Sequence, residues 1–244
     1  MMNLQPHLQI ENQDDTFKAI IVGDPNRVDK IAALLKNPVL LAYNREFKTM
    51  TGRYNNERIL VTSTGIGSPS TIIALEELIN IGIREIVRVG SCGAMTKTFM
   101  PGEIMVATGA VRDEHSTEDY VPTEYPAIPD PYLLKRAMSQ NDIPYRLGII
   151  RSHNGFYYEK NSEVEHYWSR HNVLGADLET SSLYVLGSLK KVKVLSILNN
   201  VVPFGDELKE GVNQLVSGEE ILHQGEKNSI LLALNILTGG IRNE

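Results

Sequence analysis

At 244 residues, 42% of them apolar and 22% charged, the chain has the size and make-up of one large α/β domain, and its ordinary aliphatic and aromatic content excludes disorder and low complexity. A net charge of −6, with both signs mixed along the chain, argues against a nucleic-acid binder, and no run approaches the 18 apolar residues of a membrane span. The start, Met1 to His7, lacks the basic and apolar segments of a secretory signal, so a cytoplasmic protein is expected, and the lone Cys92 gives no internal disulfide and no thiolate-rich metal site.

Phe17 to Val22 reads as a buried strand and Asn26 to Leu35 as a helix opened by Pro25. Between them Gly23-Asp24-Pro25-Asn26-Arg27 supplies a close-approach glycine, free helix N-terminal amides and one cation, a combination suited to phosphate or another small oxyanion. Asp24 reads as a turn residue that orients Arg27, not as a base. Phe47 to Thr49 and Glu57 to Thr62, around the polar break Tyr54-Asn55-Asn56, suggest a hairpin. Gly65-Ile66-Gly67-Ser68-Pro69 then leads into the helical spacing Ser70, Ile72, Ile73, Leu75, Leu78, Ile79. That glycine pair lacks the full dinucleotide pattern, and no Walker-type Gly-Lys-Ser/Thr occurs, so neither NAD nor ATP use is supported.

Glu85 to Val89 is a short buried strand expected to end in a turn, Gly90-Ser91-Cys92-Gly93. Arg88 lies inside it, where a guanidinium is costly to bury unless an anion or carboxylate meets it. A structural salt bridge would satisfy Arg88; with Gly23, Arg27 and Ser91 beside it, oxyanion binding is the better reading. Glu103 to Thr108 is a further strand, and Tyr120 to Pro131 a Pro-rich loop expected to lie over another part of the fold. Helices are predicted over Tyr132 to Asn141 and Ser162 to Trp168, with a strand from Tyr145 to Ile150. Tyr157 and Tyr158 offer a flat surface for a ring or simply fill a core.

Val173 to Thr180 passes from strand to helix and carries Asp177-Leu178-Glu179, two carboxylates two apart, of which one can face a site while the other caps or pairs. A solvated acidic pair is the plainer alternative. Val192 to Leu198 reads as the last core strand and Ile221 to Leu237 as a C-terminal helix. This alternation predicts a mostly parallel central sheet covered by helices, with ligand groups at the carboxyl ends of strands. The six histidines show no metal-ligand spacing, so metal catalysis is not expected. His7, in the polar N-terminal arm, and Arg45, in Tyr43-Asn44-Arg45-Glu46, are ambiguous by themselves.

Taken together, Gly23-Asp24-Pro25-Asn26-Arg27, Ala42-Tyr43-Asn44-Arg45-Glu46, Gly65-Ile66-Gly67, Arg88-Val89-Gly90-Ser91-Cys92-Gly93 and Ala176-Asp177-Leu178-Glu179-Thr180 resemble the hexameric purine nucleoside phosphorylase and uridine phosphorylase family, from about Gln5 to the C-terminal helix. Any one motif would be weak; five in order are specific. The resemblance implies one domain over residues 1–244, three-layer α/β/α, with a mostly parallel, partly barrel-like mixed central sheet. It implies a phosphate cradle of Gly23, Arg27, Arg88 and Ser91, completed by Arg45 from a dimer partner. Ribose would meet Glu179, Leu178, which stands at the family's methionine position, and a neighbour's His7. The base would meet Cys92, Gly93, Tyr157, Asp177 and Asn200. The dimer would be the smallest active unit and a trimer of dimers the assembly. No metal or cofactor is implied, only inorganic phosphate as co-substrate.

The implied chemistry is reversible phosphorolysis: phosphate attacks the anomeric carbon as the glycosidic bond lengthens, giving a free base and a pentose 1-phosphate. Arg88 would hold the phosphate, Glu179 the sugar, and Asn200 would support the departing base. The chain departs from the purine pattern at Asn200, where an aspartate usually protonates N7, because an amide donates a hydrogen bond but is no general acid. That points to uridine, although the Gln-x-Arg pair that usually grasps uracil is not evident where Glu159-Lys160-Asn161 stands. Asp177 replaces the usual glutamate, and Asp206, in Pro203-Phe204-Gly205-Asp206-Glu207, would either compensate for Asn200 or belong to a solvated turn. A uridine-preferring nucleoside phosphorylase is therefore expected, with a purine nucleoside phosphorylase as the second reading and a hydrolytic nucleosidase or a catalytically weak nucleoside-binding protein as rivals.

Overall fold

The computed structural model of the protein describes residues 4–12, 15–205 and 220–239, so Asp206 lies outside the described residues. Nine strands are described: β1 (Lys18–Val22), β2 (Lys36–Asn44), β3 (Phe47–Tyr54), β4 (Glu57–Ser63), β5 (Glu85–Ala94), β6 (Ile104–Asp113), β7 (Arg146–His153), β8 (Val173–Asp177) and β9 (Lys193–Val202). The helices among them are α1 (Pro25–Ala32), α2 (Ser68–Asn80), α3 (Pro131–Met138), α4 (Asn161–Ser169), α5 (Thr180–Leu189) and α6 (Glu220–Thr238). The strands form one sheet in the order β2-β3-β4-β1-β5-β8-β7-β6-β9, and a second pairing of β5 with β9 closes the last five into a barrel. The sheet is mixed: β1 runs parallel to β4 and β5, β5 to β9, and β7 to β6 and β8. The pairs β2–β3, β3–β4, β5–β8 and β6–β9 are antiparallel.

Both faces of the central strands are apolar because both are covered, and the period-2 alternation sorts their side chains between two cores. Ala19 and Ile21 of β1 join Ile86 and Leu198 in one core with Leu75 and Leu78 of α2 and Leu183 and Leu186 of α5. Ile20 and Val22 join Val87, Val89 and Ile197 in the other, with Val28 and Ile31 of α1, Leu133 of α3 and Leu234 of α6. The result is the three-layer α/β/α arrangement.

Three boundaries differ from the sequence expectations. Gly90 to Gly93 is not a turn: β5 continues to Ala94, because it pairs with β9 from Glu85↔Lys193 to Cys92↔Asn200. For the same reason β9 runs on to Val202 and carries Asn199 and Asn200 within it. Helix α1 stops at Ala32, and Leu35 turns inward to pack on Gly52 of β3, where an added Cβ would lie 2.7 Å from the Leu35 Cβ. Strand β2 was not expected; it starts with Lys36-Asn37-Pro38 and leaves Val39 and Leu40 exposed, a composition tolerated only at an edge. No described helix is long and apolar enough to cross a membrane.

Candidate active site

The carboxyl ends of β1, β5 and β8 converge on a cavity of about 700 Å3. At the first of these ends Asp24 accepts a hydrogen bond from the Asn26 amide (2.8 Å) and Pro25 occupies the first turn, so α1 begins abruptly and projects Arg27 inward. Arg27 is buried. Its Nη2 donates to Ser91 Oγ (3.1 Å), its Nη1 to Val89 O (3.2 Å) and its Nε to Glu226 Oε1 (2.6 Å). Glu226 reaches in from α6 and is shared with Lys30 Nζ at 2.6 Å. Burial pushes the Glu226 carboxyl up, but Arg27 and Lys30 more than offset it and hold the pKa below its ordinary 4.5.

Arg88 Nη2 donates to Glu179 Oε2 and, at 3.3 Å, to Asp177 Oδ2, while its Nε is buried with no hydrogen-bond partner among the described residues. Burial alone would lower the pKa of this guanidinium; Glu179 and Asp177 outweigh that and raise it, so Arg88 is a permanent buried cation. Its head folds back across Gly90, where an added Cβ would stand 2.6 Å from Cζ, so a side chain there would have to displace the guanidinium.

Glu179 sits at the N-cap of α5, with Oε1 accepting from the Gly67 amide (2.7 Å) and Oε2 from the Leu178 amide (3.2 Å). Burial raises its pKa, with Arg88 and the two amides pulling the other way. Asp177 is spent internally: it accepts from Ser152 Oγ (2.6 Å), Thr180 Oγ1 (2.6 Å) and the Thr180 amide (3.1 Å). It therefore anchors β8 and α5 beneath Arg88. Cys92 is a buried thiol pushed well above its ordinary pKa by burial and then by Asp177, so it is not a thiolate nucleophile.

Of the residues singled out in the sequence, Gly23, Arg27, Arg88, Ser91, Cys92, Gly93, Asp177, Leu178 and Glu179 line this one cavity. Four do not. Asn200 is fully buried within β9; its Nδ2 donates to Phe99 O (2.8 Å) and its Oδ1 accepts from the Val202 amide (3.1 Å), so its amide is consumed in holding a strand. Tyr157 is 82% exposed, and the cavity's aromatic is its neighbour Phe156, against whose ring Tyr157 stands edge-on at 5.0 Å. Arg45 is exposed on the β2–β3 turn at φ +55°. His7 lies outside the cavity, its Nδ1 2.7 Å from Glu77 Oε1.

The structure adds Glu46, Gly65, Ser70, His153, Phe156 and Glu165 to the lining. Glu46 Oε1 accepts from Ser70 Oγ (3.1 Å) against Gly65, beside Gly23. His153 is held neutral, its pKa lowered to about 4 by burial and then by Arg151. Glu165, on α4, has Oε1 held by Asn161 Nδ2 at 2.6 Å. One missed residue had a sequence signal: Glu226 is a carboxylate on the apolar stripe Leu222, Ile230, Ala233 and Leu237, as misplaced there as Arg88 in its strand. Chemically, one end of the cavity offers two buried guanidiniums with a hydroxyl, the next a carboxylate with fixed lone pairs, and the remainder an apolar wall with one ring.

Residues 18–217 match the family model described as the phosphorylase superfamily. The chain is 38% identical over 199 residues to a guanosine phosphorylase of Halorubrum lacusprofundi, covering 80% of this chain and 82% of that one. It is 34% identical over 205 residues to a uridine phosphorylase of Treponema pallidum, covering 79% and 80%. Among solved structures, a uridine phosphorylase from Vibrio fischeri superposes with a TM-score of 0.89 at 39% identity, covering 97% of this chain and 98% of that one. A purine nucleoside phosphorylase from Toxoplasma gondii in complex with immucillin-H superposes with a TM-score of 0.85 at 27% identity, covering 100% and 99%.

Proposed function

Because the chain belongs to the phosphorylase superfamily, and its buried cations and its sugar-type carboxylate line one cavity, we propose that it is a nucleoside phosphorylase whose phosphate site is Gly23, Arg27, Arg88 and Ser91 and whose ribose site is Glu179 with Leu178. It is a pentosyltransferase, and phosphate is its co-substrate. The observation that carries the residue assignment is the Arg88–Glu179 contact. A cation that must hold an anion is bonded to the carboxylate that must hold a diol, so phosphate and sugar are fixed side by side and attack at the anomeric carbon is a matter of proximity. The developing positive charge of the sugar then lies between the incoming anion and Glu179.

Uridine is the first substrate in this reading, supported by the likeness over 97% of the chain to the Vibrio fischeri uridine phosphorylase. A guanine or other purine nucleoside is the second, supported by the Halorubrum lacusprofundi guanosine phosphorylase. Arg45 and His7 belong to the cavity of a neighbouring copy in this proposal; their support is that both lie outside their own cavity at the end of β2, Arg45 on the turn that follows exposed Tyr43 and His7 with its carbonyl accepting from Asn44 Nδ2 at 2.8 Å. The protein acts in the cytoplasm, in the salvage or breakdown of nucleosides.

The test is incubation of purified protein with uridine, thymidine, inosine, adenosine and guanosine, with and without phosphate, quantifying free base and pentose 1-phosphate. Base release that requires phosphate, and falls by at least about 100-fold in Arg88→Ala, is the expected result. Release without phosphate would establish a hydrolase instead.

A further inference from the structure

Heterolysis of the glycosidic bond leaves an electron pair on the base, and an anion is costly against a wall made of Phe156, Val201 and Val202. The sequence had assigned this problem to Asn200, whose amide is occupied elsewhere. We infer that Glu165 is the acid that protonates the departing base, an inference that rests on the phosphorolysis reading above.

Two of the other acidic groups of the cavity have both oxygens engaged. Asp177 accepts from Ser152 and Thr180, and Glu179 from Arg88, Gly67 and Leu178. Asp24 caps α1, and Glu46 packs on Gly65 and Ser70 at the phosphate side. His153, also in the wall, is neutral and engaged with the Gly155 backbone. Asp24 and Glu46 each keep one oxygen without a partner among the described residues, but they stand at the Gly23–Gly65 end of the cavity, whereas Glu165 enters the wall from α4. It is half-buried in the wall, and Asn161 fixes one of its oxygens from one helical turn away. Its second oxygen has no hydrogen-bond partner among the described residues. Burial raises the carboxyl above its ordinary 4.5, opposed by the Asn161 bond, by Arg151 and by His166. The charged and titratable groups around it are Arg151, itself paired with Asp113 at 2.6 Å, and His153 on β7, Asp177 on β8, and His166 on its own helix.

The step balances without any further reactant. A phosphate oxygen bonds to the anomeric carbon as the carbon–nitrogen bond breaks, the electron pair passes to the base, and the Glu165 proton goes to the heteroatom of the base that faces it. The carboxylate left behind is reprotonated from solvent, and the products are a neutral base and a pentose 1-phosphate. Asn161 is the positioning residue that keeps the acid turned inward.

The test compares wild type, Glu165→Gln and Glu165→Asp on the nucleoside turned over in the panel and on an analogue whose base leaves without proton assistance: 7-methylguanosine on the purine side, 5-fluorouridine on the pyrimidine side. Glu165→Gln is expected to lower kcat on the parent nucleoside by about 100-fold or more, on the analogue by less than about 5-fold, with Glu165→Asp recovering part of the loss. The ratio of wild-type to Gln-variant rate, in which phosphate ionisation cancels, is expected to fall as pH rises through the Glu165 pKa. Equal losses on both substrates, no loss on either, or a flat ratio would overturn the acid role while leaving phosphorolysis standing. A wild-type protein without phosphate-dependent cleavage would overturn both.

Discussion

His153 shows how one buried side chain sets a pH limit on the fold. Its imidazole titrates near 6.5 when unfolded and near 4 when folded, so over that interval the unfolded chain binds the extra proton. Stability is therefore full above 6.5 and is lost as pH falls toward 4, by about 2 kcal/mol on reaching pH 5. Urea denaturation at pH 7.5 and pH 5 should show that loss in the wild type and most of it removed in His153→Gln; an unchanged difference would place the acid sensitivity elsewhere. The residues legible in the sequence were of the same kind, charged groups in apolar surroundings. Arg88 announces itself inside Ile86-Val87-Arg88-Val89, and Glu179 stands at a strand-to-helix junction. Phe156 and Tyr157 could not be told apart, because they lie in an irregular segment where no periodicity says which ring turns inward. Glu165 gave no signal at all: α4 has no buried residue, so its pattern marks no inner face.

At the scale of elements, the proposed phosphate site is tied to the C-terminal helix. Glu226 supplies the countercharge to Arg27 from α6, and that helix is seated on β9 by Asn199 Nδ2, which donates to Leu222 O at 2.9 Å. Gly225 makes the seating possible, since an added Cβ would collide with Asn199 Oδ1 and with Gly102 O. Glu226→Ala leaves Arg27 buried and uncompensated. It should destabilise the protein by about 3 kcal/mol in phosphate-free buffer, and less in phosphate, because the anion then takes over the countercharge. Urea denaturation in the two buffers checks this; the same loss in both would mean that Arg27 does not meet phosphate. By the same linkage the KM for phosphate should fall in Glu226→Ala, because an uncompensated Arg27 binds the anion more tightly. Most elements were legible from apolar runs and turn residues. Strand β2 was not, because an edge strand opened by Pro38 and exposed on its apolar positions shows no alternation. The length of β5 and β9 was not either, since it is set by pairing between segments about a hundred residues apart in the chain.

For the whole molecule, the positions of Arg45 and His7 make the active site a question of stoichiometry. If each cavity takes its own Arg88 and a neighbour's Arg45, then Arg88→Ala and Arg45→Ala subunits are each inactive alone, while a mixed pair contains one cavity with both arginines. Dissociating the two inactive variants together and reassembling them should restore about a quarter of wild-type activity at random pairing, with none from either variant treated alone. No recovery on mixing would place both arginines in one chain's function. The layered architecture was legible from the alternation of elements, whereas the barrel-like part of the sheet came only from the family resemblance, as no local pattern encodes the β5–β9 contact.

That closure has a further consequence. In an open sheet both outer strands expose unpaired amides and carbonyls, and such a sheet can be extended from either side without limit. Here β9, last in the order, is paired on both flanks, and among the described strands only β2 keeps an unpaired flank. A sheet with a single sticky end has a valence of one: an association through β2 uses up the edge on both copies and stops at two. The pairing that closes the barrel thus also terminates the sheet's growth, and strand-by-strand propagation into a fibre is closed to the native fold.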